Sequence, residues 1–143
     1  MPAAISDTDR IAERAGELFV AGHHCSEAVV IAVGDHLFGK CPEVLIRASD
    51  PFGGGVALTR EELCGVLSGG VMILGALRGR VSPTEDDKPL YALVARFRER
   101  FLALAGSTQC QPIFAGYPEK HKRCRPIVVA GTRLLMEVLE ENS

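Results

Sequence analysis

The chain has no tryptophan and few aromatic residues of any kind, 6% in all. Strand-rich sandwiches draw on aromatic and β-branched side chains, so this scarcity beside abundant Ala, Leu and Val favours helices. No stretch alternates apolar and polar residues as a half-buried strand does, and there is no internal repeat or low-complexity tract. Charge of either sign is not in excess: the formal net charge is −2. A chain so balanced has no global field for nucleic acid or anionic lipid, and neither partner is expected. Met1 to Arg10 lacks the basic-then-apolar pattern of a secretory leader, and no uncharged run approaches the roughly 20 residues of a membrane span. No membrane insertion is expected, and the expected compartment is cytoplasmic.

Two chemical signatures are missing as well. There is no Cys-x-x-Cys pair, which weakens both a zinc knuckle and a thioredoxin-like site. Asp50-Pro51-Phe52-Gly53-Gly54-Gly55 is glycine-rich, yet no Gly-Lys-Ser/Thr follows it and no strand precedes it, so it is neither a P-loop nor a dinucleotide fingerprint. It reads as a turn-rich loop whose three glycines let backbone pass close to something.

What is present is a 143-residue chain with 47% apolar residues. That suits one domain, 1–143, with residues 1–7 as a flexible N-terminus. The run from Leu63 to Leu77 carries no charge and reads as a buried core helix. Its glycines each cost about 1 kcal/mol relative to Ala, which packing must recover. Gly65 and Gly69 lie one turn apart with Ser68 beside them, a flat strip where another backbone can approach.

Before this run, helices are expected from Thr8 or Asp9 to Ala21, from Ser26 to Leu37, and briefly from Pro42 to Ala48. Thr59-Arg60-Glu61-Glu62 has the spacing of a capping box leading into the central helix. After it, Asp87 and Pro89 open a helix with Leu90, Leu93, Val94, Phe97, Phe101 and Leu104 as its buried stripe, ending at Gly106. Cys110 to Ala115 makes a short helical turn, and a last helix runs from Cys124 to Glu141. The expected architecture is an all-α, single-domain bundle of about five helices.

The five cysteines, Cys25, Cys41, Cys64, Cys110 and Cys124, make an odd number, which argues against a fixed disulfide framework in a reducing compartment. Their positions are informative. Cys25 precedes the second helix, Cys41-Pro42 opens the third, and Cys64 lies in the opening turns of the central one. Cys110-Gln111-Pro112 and Cys124-Arg125-Pro126 repeat a Cys-x-Pro pattern that puts Pro in a first turn. Free N–H groups at a helix start stabilise a thiolate, so low pKa values are expected. Lys120, His121, Lys122, Arg123 and Arg125 around Cys124 push the same way, or form a solvated loop. His23 and His24 flank Cys25 and can take a thiol proton, bind metal, or simply face water. Ser68 can hydrogen-bond the Cys64 sulfur or serve as a small residue at a tight contact.

Gly22-x-x-Cys25-Ser26-Glu27-Ala28-Val29, then Phe52-Gly53-Gly54-Gly55, then Cys64-Gly65-Val66-Leu67-Ser68-Gly69, then Cys110 and Cys124, resemble the putative redox-active protein family named for its four-cysteine pattern with a C-G-A-x-x-G segment. The likeness runs from about Ala12 to Met136. Val66 stands where that segment has Ala, and Cys41 lies outside the pattern. The resemblance implies a small, mostly helical, redox-active protein using Cys25, Cys64, Cys110 and Cys124, supported by Gly65, Gly69, Ser68, His24, Gly53, Gly54 and Gly55. It also implies traffic of electrons or thiols with a redox partner protein, and association with a transporter system. Three readings stay open: thiol–disulfide or electron-transfer chemistry; a metal site in which the same four thiolates hold zinc or an iron–sulfur cluster; and a non-catalytic interaction module, whose small-residue faces would suit a homodimer.

Overall fold

The computed structural model describes residues 6–117 and 124–142. Among them lie seven α-helices: α1 (Asp7–Ala21), α2 (Cys25–Phe38), α3 (Glu43–Ser49), α4 (Gly65–Arg78), α5 (Lys88–Ala105), α6 (Cys110–Ala115) and α7 (Arg125–Glu141). A 3-10 turn, Asp50–Phe52, follows α3. The all-α expectation holds. The expected number, about five, is too low, because the short segments α3 and α6 each form a helix of their own. No helix among the described residues is long and apolar enough to cross a membrane.

Local chemistry explains the helix ends. Ser6, rather than Thr8 or Asp9, caps α1, its hydroxyl accepting from the Asp9 N–H at 3.1 Å. Thr8 is buried and donates its hydroxyl to Glu140 on α7. Pro89 and Pro126 sit in the first turns of α5 and α7, where a missing N–H costs no helical hydrogen bond. The capping box expected at Thr59 does not form. The Thr59 hydroxyl donates back to the Gly55 and Val56 carbonyls at 2.8 and 2.9 Å, and α4 starts only at Gly65, with Cys64 as its N-cap.

The core sits between α2, α4, α5 and α7. Helix α4 packs on α2, α3, α5 and α7, and α7 packs in turn on α1, α2 and α5. Phe97 and Phe101 are fully buried, each contributing about 2–3 kcal/mol of apolar burial. The expected α5 stripe holds at Leu90, Leu93, Phe97 and Phe101, while Leu104 turns outward at 48% exposure. The small-residue strip of α4 works as expected: a β-carbon at Gly69 would stand 2.8 Å from the Ser26 carbonyl oxygen of α2. On the adjacent face, the side chain of Val66 occupies space that a β-carbon at Gly131 of α7 would need. The larger residue at the Ala position of the motif is thus accommodated by a glycine across the helix contact.

Candidate functional site

Four helix starts converge at one end of this core. Cys25 is the first residue of α2, Cys64 the N-cap of α4, Cys110 the first residue of α6 and Cys124 the N-cap of α7. All four line one cavity of about 330 Å³ together with Phe19, His24, Leu58, Arg60, Ile113 and Phe114. None is in a disulfide.

Specific contacts bring these segments together. Gly65, immediately after Cys64, lies directly under Cys25: a β-carbon there would overlap the Cys25 Sγ. Cys64 and Cys110 are tied by a short antiparallel bridge between Leu63 and Gln109. In it the Cys64 N–H donates to the Thr108 carbonyl at 2.9 Å, and the Cys110 N–H to the Glu62 carbonyl at 2.9 Å. No alternation in the sequence announced this pairing, because a single bridge needs only one residue from each side. Tyr117 stands near both Cys124 and Cys64, and its hydroxyl pKa is raised by desolvation and then by those two thiols.

The third wall is a strap between the 3-10 turn and α4. Gly54, Gly55, Val56, Ala57 and Leu58 all adopt positive φ, between 54° and 67°, and Arg60 does so at 63°. Left-handed backbone costs roughly 1–2 kcal/mol per non-glycine residue and normally occurs singly. Here it is held by hydrogen bonds from the Ala57 N–H to Pro51 O at 2.8 Å, Leu58 N–H to Gly53 O at 3.1 Å and Arg60 N–H to Gly54 O at 2.8 Å. The loop expected from the glycines is therefore a strained, closely bonded turn. It lays Gly55 against Cys110, whose β-carbon would be 2.6 Å from one at residue 55, and Gly53 against the His24 ring. Val56-Ala57-Leu58 carries no signal for this conformation, since β-branched and bulky residues rarely adopt it.

Electrostatics correct the expectation of low thiol pKa values at Cys25 and Cys64. Cys25 does meet N–H groups, from Gly54, Ser26 and Gly65, and Cys64 meets those of Val66 and Leu67 at the start of α4. Burial nevertheless outweighs them. Desolvation pushes the Cys25 thiol above its ordinary value, and it pushes Cys64 up to about 12, with further upward pressure from Cys25 and Cys110. A thiolate in a poorly solvated cavity loses more hydration than a few N–H groups return. The resting site therefore holds neutral Cys25 and Cys64.

The remaining sequence candidates divide. Ser68 bonds carbonyls, those of Gly65 and Cys64 at 3.3 and 3.4 Å, rather than the Cys64 sulfur. His24 lines the cavity, with its Nε2 3.8 Å from an Asp50 carboxylate oxygen. Its backbone N–H donates to Glu27 at 2.9 Å. Among the described residues, the donors that gather in a group of three within 4.8 Å are His24, Glu27 and Asp50, not the thiols. Arg125 pairs with Glu13 at 2.9 Å, and Lys120, His121, Lys122 and Arg123 lie outside the described residues. Arg60, Leu58 and Phe114 were not singled out for the site from sequence. The glycines before Arg60 were the available signal, but the capping-box spacing pointed elsewhere.

Comparison with known proteins adds a family. The family model described as putative redox-active protein (C_GCAxxG_C_C) matches residues 23–138. The chain belongs to this family. No curated protein and no solved structure matches it. The C_GCAxxG_C_C match spans all four cavity cysteines and the left-handed strap, so the family's named feature, its cysteine series, coincides with one cavity.

Proposed function

We propose that this protein carries out thiol–disulfide chemistry with Cys25, Cys64, Cys110 and Cys124. The observation that supports it is the cavity they share, assembled from four separate helix starts and lined by no other cysteine. In the proposed cycle Cys25 attacks first. Its sulfur faces the N–H groups of Gly54, Ser26 and Gly65, which favour the thiolate once its proton has left. Attack on an oxidant's disulfide bond forms a mixed disulfide and releases one thiolate, which takes up a proton. A second cavity thiol then attacks the Cys25 sulfur and releases the other half. Two protein thiols are oxidised to one disulfide, and one external disulfide is reduced to two thiols. The raised pKa values make the resting dithiol slow, so exchange depends on an oxidant that enters the cavity.

Differential alkylation read by mass spectrometry tests this. Mild oxidant should protect cavity cysteines in pairs, with reversal by dithiothreitol, while Cys41 stays free. Four thiols that remain free in the folded protein after oxidation would remove the reading.

The same four thiols support a second reading, a zinc or iron–sulfur site. Sulfur is the right donor for either, but in this arrangement the thiols would have to draw closer to act as a set. Metal analysis and a visible spectrum of anaerobically prepared protein decide between the two readings.

A further inference from the structure

The cavity restricts what can reach the thiols. Cys25 and Cys124 are half-buried, but Cys64 and Cys110, one of which an S–S bond seated in the cavity must also meet, are 6% and 8% exposed, and the space beside them, about 330 Å³, lies at the lower end of small-molecule sites. A disulfide held in another folded protein would have to bring its flanking backbone inside. A small molecule would not.

The lining also has a charge pattern. Phe19, Val66, Ile113 and Phe114 make most of it apolar, and no carboxylate is among the described lining residues. Arg60 supplies a permanent cation. It makes no ion pair among the described residues, and its guanidinium carbon lies 3.5 Å from the Phe114 ring centroid. Its backbone sits at φ 63°. Strain of this kind persists where the surrounding structure holds a residue in place, and such positions cluster at ligand clamps. A guanidinium fixed beside an apolar cavity, with no counter-charge among the described residues, matches a ligand that brings the anion itself.

We propose that the oxidant is a small disulfide bearing an anionic group on an apolar body, seated with its anion on Arg60 and its S–S bond against Cys25, Cys64 and Cys110. This rests on the thiol-redox reading above and adds the substrate class. The exchange balances as written there: two cavity thiols become one disulfide, and the small disulfide leaves as two thiols.

Three symmetrical probes of similar size but different charge separate the possibilities: dithiodipropionate (anionic), hydroxyethyl disulfide (neutral) and cystamine (cationic). Each reacts with the reduced full-length protein, and each rate is normalised to that probe's rate with 2-mercaptoethanol. Dithiodipropionate should be favoured over cystamine by about tenfold or more, the scale of one charge-assisted hydrogen bond. Arg60→Gln should reduce that preference to about twofold, while Arg60→Lys, which keeps the charge but loses the planar stack on Phe114, should retain only part of it. Circular dichroism checks that the variants are folded, and the charge series on the unaltered protein stands without them. Equal normalised rates for the three probes, with disulfides forming in each case, overturn the substrate class and leave the redox reading intact. A preference that survives in folded Arg60→Gln also overturns it. No reaction with any probe removes both.

Discussion

Cys25 and Cys41 look alike in local terms and end in different surroundings. Each lies at or just before a helix start, and each presses on a glycine: Cys25 on Gly65, Cys41 on Gly34. Cys41 is 1% exposed between α2 and α3, and its N–H donates to Asp35 at 2.7 Å. It does not line the cavity. Desolvation and then the Asp35 charge raise its pKa. Cys25 is also desolvated, but its sulfur meets three backbone N–H groups and the field of Cys110. A cysteine beside a glycine at a helix start is thus a packing motif in both places. What separates them is which other sulfurs share the space: Cys25 lines the cavity with three more, and Cys41 does not.

The largest expected difference between the two regions is in redox behaviour. Cys25→Ser should abolish the oxidant-dependent protection of a second cavity thiol, and Cys41→Ser should leave that protection unchanged, as read by alkylation and mass spectrometry. Loss of protection in Cys41→Ser would dissolve the contrast.

Next in size is the steric test. Gly65→Ala places a methyl group into the Cys25 sulfur with Ser26 N and Phe52 O close behind, so no flexible side chain alone can yield. A cost of about 3 kcal/mol is expected in urea unfolding, the upper part of the range for overpacking. Gly34→Ala meets the Cys41 side chain in the same way and should cost about 1–3 kcal/mol. Only Gly65→Ala should change the alkylation rate of Cys25.

Alkaline pH sharpens the comparison further. The Cys64 thiol is raised from 9.0 to about 12 by burial first. Below 9 it is protonated in both folded and unfolded chains and stability is unaffected. As pH rises from about 9 towards about 12, the unfolded thiol ionises while the folded one does not, so stability falls across that window. Urea midpoints of the reduced protein should decline there, and Cys64→Ala should flatten the decline, although losing the sulfur lowers stability at every pH.

The smallest effect runs in the opposite direction. Ala57 is exposed in the left-handed strap at φ 54°, so Ala57→Gly should stabilise by about 1 kcal/mol. A thermal shift upward with unchanged redox behaviour would show that the strain is local to the strap. A shift downward would mean that the left-handed turn is not the resting conformation.

Particular residues show how far the sequence could be read. Pro112 and Pro126 announced the starts of α6 and α7, because a proline's effect on a helix start is local. Gly65 and Gly69 announced a close approach, since missing side chains leave space that something must fill. Thr59 misled, because the capping-box spacing is also compatible with a hydroxyl that turns back to its own loop. Arg60 could not be placed at the cavity, since its position depends on left-handed backbone that nothing in Val56-Ala57-Leu58 foretells.

The sequence by itself determined the helical class, the placement of cysteines at helix starts and membership in the family. These follow from caps, prolines, glycines and apolar spacing over a few residues at a time. Tertiary structure alone decided that four thiols share one cavity and that burial drives the Cys25 and Cys64 pKa values up rather than down. Desolvation and sulfur proximity are set by atoms from α2, α4, α6, α7 and the strap together, and no short stretch of chain contains that sum.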